Sequence, residues 1–198
     1  MDRPNADRPP PEDDSPADGR RTDTSKRIHD VALAVFSERG WDGATMREIA
    51  ERLGITRPAL YYHYRSKEDI LASIHRDLAR SVDGILDWGR AQPATAATRA
   101  EILRRLATLM ATSWGTFIAF AQANEAAMRD LKAAGDFAES MDCLADLLKP
   151  SDTVAGRMKA RLALDALFMA GSRIRQLGGS DSERCQAALT TANALIEE

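Results

Sequence analysis

Between Thr45 and Lys67 the chain concentrates side chains suited to one kind of chemistry. Arg47, Arg57 and Lys67 are permanent cations, His63 is a conditional one, and Tyr61 and Tyr62 are flat rings with a polar edge. Cations and hydroxyls hold phosphates, and an arginine fork matches the acceptors on a guanine edge. Pro58 and Ala59 offer small apolar surfaces suited to a thymine methyl. No comparable case exists for catalysis. His29, His63 and His75 are scattered, and no Ser-His-Asp or Cys-His grouping, HExxH or Gly-rich phosphate loop is present. Cys143 and Cys185 have no metal-ligand spacing with the histidines. No catalytic residue, cofactor or metal is expected, and the cysteines read as reduced thiols.

The elements that must position these groups follow from local signals. Thr45-Met46-Arg47-Glu48 has the form of a capping box, and the helix it opens carries Ile49, Ala50 and Leu53 on one side. Gly54 ends it after barely two turns. Thr56 caps a second short helix with Pro58 in its first turn, where a missing N–H costs nothing. Two short helices across the tight Gly54-Ile55 turn have the shape of a helix-turn-helix. Before them, Ile28, Val31, Ala32, Val35 and Phe36 predict an amphipathic helix from about Ser25 to Arg39, stopped by Gly40. After them, Ser66 caps a longer helix whose stripe is Ile70, Leu71, Ile74, Leu78, Val82 and Ile85.

The remainder is helical by the same periodicity. Helices are expected over about 98–114, with a kinked continuation to Ala123, then 125–148 with a break at Gly135, then 152–177. A last helix opens at the Ser180-Asp181-Ser182-Glu183 capping box. No strand-type alternation occurs. The fold expected is all-α: a three-helix region with the helix-turn-helix over 21–68, joined by a connecting helix to a helical region over 69–198. Residues 1–20 hold almost nothing apolar and are expected as a disordered tail. Arg20 and Arg21 close it, either as an arm for the minor groove or as two solvated charges.

Bulk properties bound the rest. With 198 residues and 44% apolar content the chain can bury a core, and a net charge of −3 confines any basic surface to a patch. No apolar run is long enough for a membrane span and no signal-peptide core follows the N-terminus, so a cytoplasmic protein is expected.

Residues 27–71 resemble the DNA-binding domain of the TetR family of bacterial regulators. The likeness rests on Arg27-Ile28, Ala32, Phe36, Gly40-Trp41, Thr45, Ile49-Ala50, Leu53-Gly54-Ile55-Thr56, Ala59-Leu60-Tyr61, His63-Tyr64, Ser66-Lys67-Glu68 and Leu71. Tyr64 stands where Phe is commoner, and Met46 where Thr or Val is. The resemblance implies DNA contacts by Thr45, Arg47, Thr56, Arg57, Pro58, Ala59, Tyr61, Tyr62, His63 and Lys67. It implies a homodimer on a palindromic operator, formed through the last two long helices. The near all-round apolar helix with Leu162, Leu164, Leu167, Phe168 and Met169 agrees with that, as does the stripe Cys185, Ala188, Leu189, Ala192, Leu195 and Ile196. It also implies a small-molecule effector, for which Met110, Trp114, Phe117, Phe120, Asn124, Met128, Phe137 and Phe168 are the expected, largely apolar lining. The alternative is a DNA-binding regulator without an effector, acting constitutively or through a protein partner.

Overall fold

A computed structural model describes residues 16–124, 128, 134–170 and 178–197. Among the described residues every regular element is helical. The N-terminal region comprises α1 (Pro16–Gly43), α2 (Met46–Leu53) and α3 (Arg57–His63), and α4 (Lys67–Arg90) leads out of it. Then come α5 (Ala96–Leu109), a π-helical turn (Met110–Trp114) and α6 (Gly115–Ala123). The last described elements are α7 (Ala134–Leu148), α8 (Val154–Ala170) and α9 (Asp181–Ile196).

The first helix departs from its expected start. It begins at Pro16, so residues 16–20 of the expected tail continue α1, which periodicity alone starts near Ser25. A Pro/Asp/Arg run has no apolar period to read, yet nothing in it after Pro16 forbids helix. At its other end the helix is interrupted at Gly40, with φ 71°.

The short helices form where their caps dictate. Thr45 Oγ1 accepts from the Glu48 N–H at 3.2 Å. The return half of that capping box is absent, because the Glu48 carboxylate is turned to Arg39 and Arg52 instead. Gly54 ends α2 in the left-handed region, φ 68°, its N–H reaching back to the carbonyls of Ala50 and Glu51. A side chain there would carry a Cβ penalty of about 1–2 kcal/mol. The Arg27 guanidinium donates to Leu53 O at 3.0 Å, serving an otherwise unbonded carbonyl at the same end.

One hydrophobic core runs through the molecule. It begins with Ile28, Phe36, Ile49, Leu53 and Leu60 around the short helices and continues along the α4 stripe, where Ile70, Leu71, Ile74, Leu78, Val82 and Ile85 are all buried. It ends among Ile102, Leu103, Leu144, Leu164 and Ile196. α1 packs on both α2 and α6, α4 packs on α5 and α7, and α8 packs extensively on α9.

The joint between α5 and α6 falls earlier than expected. The helix widens over Met110–Trp114, ahead of Gly115, and Thr112 leaves helical geometry. A Cβ on Gly115 would lie 2.4 Å from Met110 O, so only glycine lets the wide turn close. α7 starts at Ala134, beside Gly135, and the residues before it on which the expected break turns lie outside the described ones. The expected stretches at 125–127, 129–133 and 171–177 lie outside the described residues. Ser180 forms both halves of its capping box with Glu183. No described helix is long and apolar enough to cross a membrane.

Candidate nucleic-acid interface

α3 is a helix of seven residues of which only Leu60 is buried. Thr56, Arg57, Pro58, Ala59, Tyr61, Tyr62 and His63 are exposed. Tyr62 is 81% and Tyr61 46% exposed, unusual for large rings without a ligand. Thr56 Oγ1 accepts from Ala59 N–H at 3.3 Å and fixes the helix start. Pro58 occupies the first turn, as its fixed φ favours. The Tyr62 and His63 rings meet edge-on at 5.4 Å.

Thr45 and Arg47 present themselves beside this face from the start of α2, both exposed. Arg47 is not idle: its Nε lies 2.7 Å from Glu51 one turn on. With both side chains more than 60% exposed the pair is weak and can exchange. Arg57 has no ion pair with any described residue. Arg39, Glu48, Arg52 and Glu38 form a web that ties α1 to α2. Those hydrogen bonds hold Glu38 and Glu48 below the usual carboxylate pKa.

Lys67 is half-buried and has a structural task. Its Nζ donates to Trp41 O at 2.6 Å and Ala44 O at 3.5 Å, and it sits 4.6 Å from the centre of the Trp41 ring. The ammonium thus fastens the start of α4 to the α1–α2 turn. An ammonium has three donors, which leaves one for a phosphate. Trp41 was not among the expected site residues. It also meets Phe36 and Phe120, at 5.2 and 6.0 Å, and so joins the core of the N-terminal helices to α6.

The expected effector residues are only partly gathered. A cleft of about 900 Å³ opens between the end of α1, the π-helical turn with α6, and the start of α9. Met110, Phe120 and Asn124 are among the residues that line it. Phe117 is buried against His75 and Trp114. Met128 and Phe168 pack on the core. The Phe137 side chain lies outside the described residues. Sequence reasoning missed Phe36, Ser37 and Gly40 from α1 and Asp181 and Cys185 from α9. Periodicity assigns Phe36 to core, and nothing local says that the two ends of the chain meet there.

Residues 28–74 match the sequence pattern of the bacterial regulatory proteins, tetR family. This span is the helix-turn-helix with its supporting α1 and the start of α4. Over that span the chain carries the pattern of the TetR family. Over 69 residues it is 44% identical to the HTH-type transcriptional repressor KstR2 of Rhodococcus jostii strain RHA1, a match covering 34% of this chain and 32% of that protein. The chain therefore matches only about a third of that relative's length. Solved TetR-family structures share the fold throughout. PfmR from Thermus thermophilus superposes with a TM-score of 0.69 at 18% identity, over 86% of this chain and 97% of that one. The ketosteroid regulator KstR2 of Mycobacterium tuberculosis gives 0.67 at 17%, over 88% and 96%. The TetR-family relatives are transcriptional regulators, not enzymes.

Proposed function

We propose that the protein is a cytoplasmic, homodimeric, sequence-specific DNA-binding regulator. It acts as a repressor that leaves a near-palindromic operator when a small, largely apolar ligand binds. DNA recognition belongs to residues 21–68, and dimerisation and ligand response to 69–198. The observation that carries the reading is α3: a capped, one-sided helix that buries Leu60 alone and leaves Arg57, Tyr61, Tyr62 and His63 outward. Helix starts of this kind reach base edges in the major groove.

The dimer arm is supported by α8. Val154, Met158, Leu162 and Met169 are 46–72% exposed and follow helical spacing along one side. On α9 the neighbouring exposed positions, Ala187, Thr190, Thr191 and Ala194, are small and permit close helix approach. An apolar stripe beside a small-residue face suits a second copy of the same pair. The ligand arm is supported by the cleft. Among the described residues its lining contains no lysine, arginine or histidine, and its one carboxylate, Asp181, is paired with Arg184. That lining suits an uncharged molecule.

The test is selection of duplexes from a random pool, followed by footprinting and stoichiometry. The expected result is a two-fold symmetric site holding two protomers. An asymmetric half-site with one protomer contradicts the reading.

A further inference from the structure

The core under the recognition helix contains a polar chain of groups. Tyr64 is the residue that closes α3, its N–H donating to Leu60 O at 3.0 Å. Its hydroxyl lies 2.8 Å from His29 Nε2 on α1 and 3.3 Å from Ser73 Oγ on α4. Across the imidazole, Nδ1 lies 3.5 Å from Asp77 Oδ2, one turn beyond Ser73 on α4. His29 is 6% exposed. Three elements therefore meet through four side chains.

The order of donors follows from their chemistry. Asp77 faces Nδ1 across 3.5 Å, a charge contact that favours the tautomer protonated there. Nε2 is then an acceptor and takes the Tyr64 O–H. The tyrosine oxygen still accepts from Ser73. Asp30 on α1 and Arg76 and Arg80 on α4 are the other charges nearby, and Arg80 holds the second oxygen of Asp77. Burial keeps His29 neutral at pH 7, against the pull of Asp77. A phenylalanine at position 64 would fill the same space and make none of these bonds.

The orientation of α3 has few other determinants. Leu60 is its one buried side chain, and apolar contact is non-directional, so Leu60 acts as a pivot. Thr56 sets the start of the helix. Among the described residues Tyr64 ties the other end, through bonds that are directional.

We propose that Tyr64, His29 and Asp77 are positioning residues for DNA recognition: together they fix the angle of α3 against α1 and α4, and hence its register on base edges. This rests on the DNA-binding reading above. Base readout fails for sub-ångström misplacement, whereas phosphate contacts tolerate it. The relay should therefore govern selectivity more than affinity for DNA in general.

The experiment uses the full chain and a duplex enriched from a random pool by the wild-type protein, beside a scrambled duplex of the same composition. Tyr64→Phe and His29→Met are expected to weaken the enriched duplex about ten-fold and the scrambled one by less than about two-fold, at unchanged salt slope. His29→Gln, whose amide can accept from Tyr64 and donate to Asp77, is expected to stay within about three-fold on both. A merely stabilising role lowers the melting temperature but leaves the ratio of the two affinities unmoved, and that outcome overturns the proposal. So does wild-type behaviour of Tyr64→Phe on both duplexes. If the wild-type protein enriches no sequence at all, the DNA-binding reading falls and takes the relay's role with it. The two failures are distinguished by whether the wild-type chain or only the variant comparison fails.

Discussion

The guanidinium of Arg47 lies 2.7 Å from Glu51, so a base edge must compete with that carboxylate for it. Arg57 faces no such competition among the described residues. Arg57→Ala is therefore expected to cost about 1–3 kcal/mol at one base pair and to relax preference there, measured by competition among single-base variants of the operator. Glu51→Gln is expected to raise affinity for every sequence, because it frees Arg47 and removes a negative charge from the phosphate side. Lys67 should behave differently from both. Lys67→Met keeps the stem over Trp41 but abandons two carbonyls, so it should lower stability by about 1.5–3 kcal/mol in denaturant unfolding and also flatten the salt slope of binding by about one unit. The residue types at this surface were legible in the sequence, since each stands at a cap or one turn from it. Lys67's duty to Trp41 and Ala44 was not, because those carbonyls lie 23 to 26 residues away and become neighbours only when α1 folds back. The same holds for His29, whose partner Tyr64 is 35 residues distant. Burial gives His29 a measurable signature. Its folded pKa is depressed below 6.5, so both states are neutral above that pH, and on acidification the unfolded chain takes its proton first. Stability should thus be full above pH 6.5 and decline below it. The melting temperature of the wild type should fall faster as pH drops below 6.5 than that of His29→Gln.

At the scale of elements, what was legible is what is written locally. The ends of α2, α3, α4 and α9 coincide with Thr45, Thr56, Ser66 and Ser180, because a cap is a bond between a side chain and a backbone group three residues on. The α4 stripe was equally plain, since one face is buried over its whole length. The lower end of α1 and the joint between α5 and α6 were not. The first lies in a run with no apolar period. The second depends on Met110 O closing on Gly115, which is a matter of packing rather than pattern. Gly115→Ala forces a Cβ into that carbonyl and is expected to cost about 1–3 kcal/mol of stability, checked by denaturant midpoint. Gly54→Ala, at φ 68° with open space around it, should cost about 1–2 kcal/mol through backbone strain alone.

For the whole molecule the decisive connection is between the cleft and the DNA-facing surface. Phe36 and Gly40 line the cleft and belong to the same helix as His29 and Arg27, while Trp41 bridges to Phe120 on α6. A ligand seated there touches the DNA-binding core directly as well as α6. It shifts the equilibrium only as far as it favours one arrangement over the other, and DNA must then weaken ligand binding by the same factor. Equal ligand affinity for free and DNA-bound protein would remove that ligand as inducer. The dimer is open to its own test. Met158→Asp with Leu162→Asp places two charges on the exposed α8 stripe while sparing the core face of Leu164 and Leu167. Sedimentation should then show a folded monomer, and binding to the palindrome should fall to the level of a single half-site. The sequence disclosed that α8 is apolar nearly all round; which of its residues stay outward depends on the α9 pairing and could not be read from α8 alone.

The wide turn at Met110–Trp114 has a consequence for how this chain tolerates changes in length. A π-helical turn holds one more residue than the α-helical turn it replaces, so it absorbs that residue without rotating the helix beyond it. Elsewhere in a helix the loss of one residue swings every later side chain by about 100°. Here, deletion of Thr112 would leave a regular helix from Ala96 toward Ala123 with Phe117, Ile118 and Phe120 still facing the core. A deletion at Ala119 would turn Phe120 and everything beyond it away. The turn is thus a register buffer for loss of one residue, and since Met110, Ala111 and Thr112 also wall the cleft, a single-residue deletion at this point reshapes the cavity while the helix bundle keeps its phase.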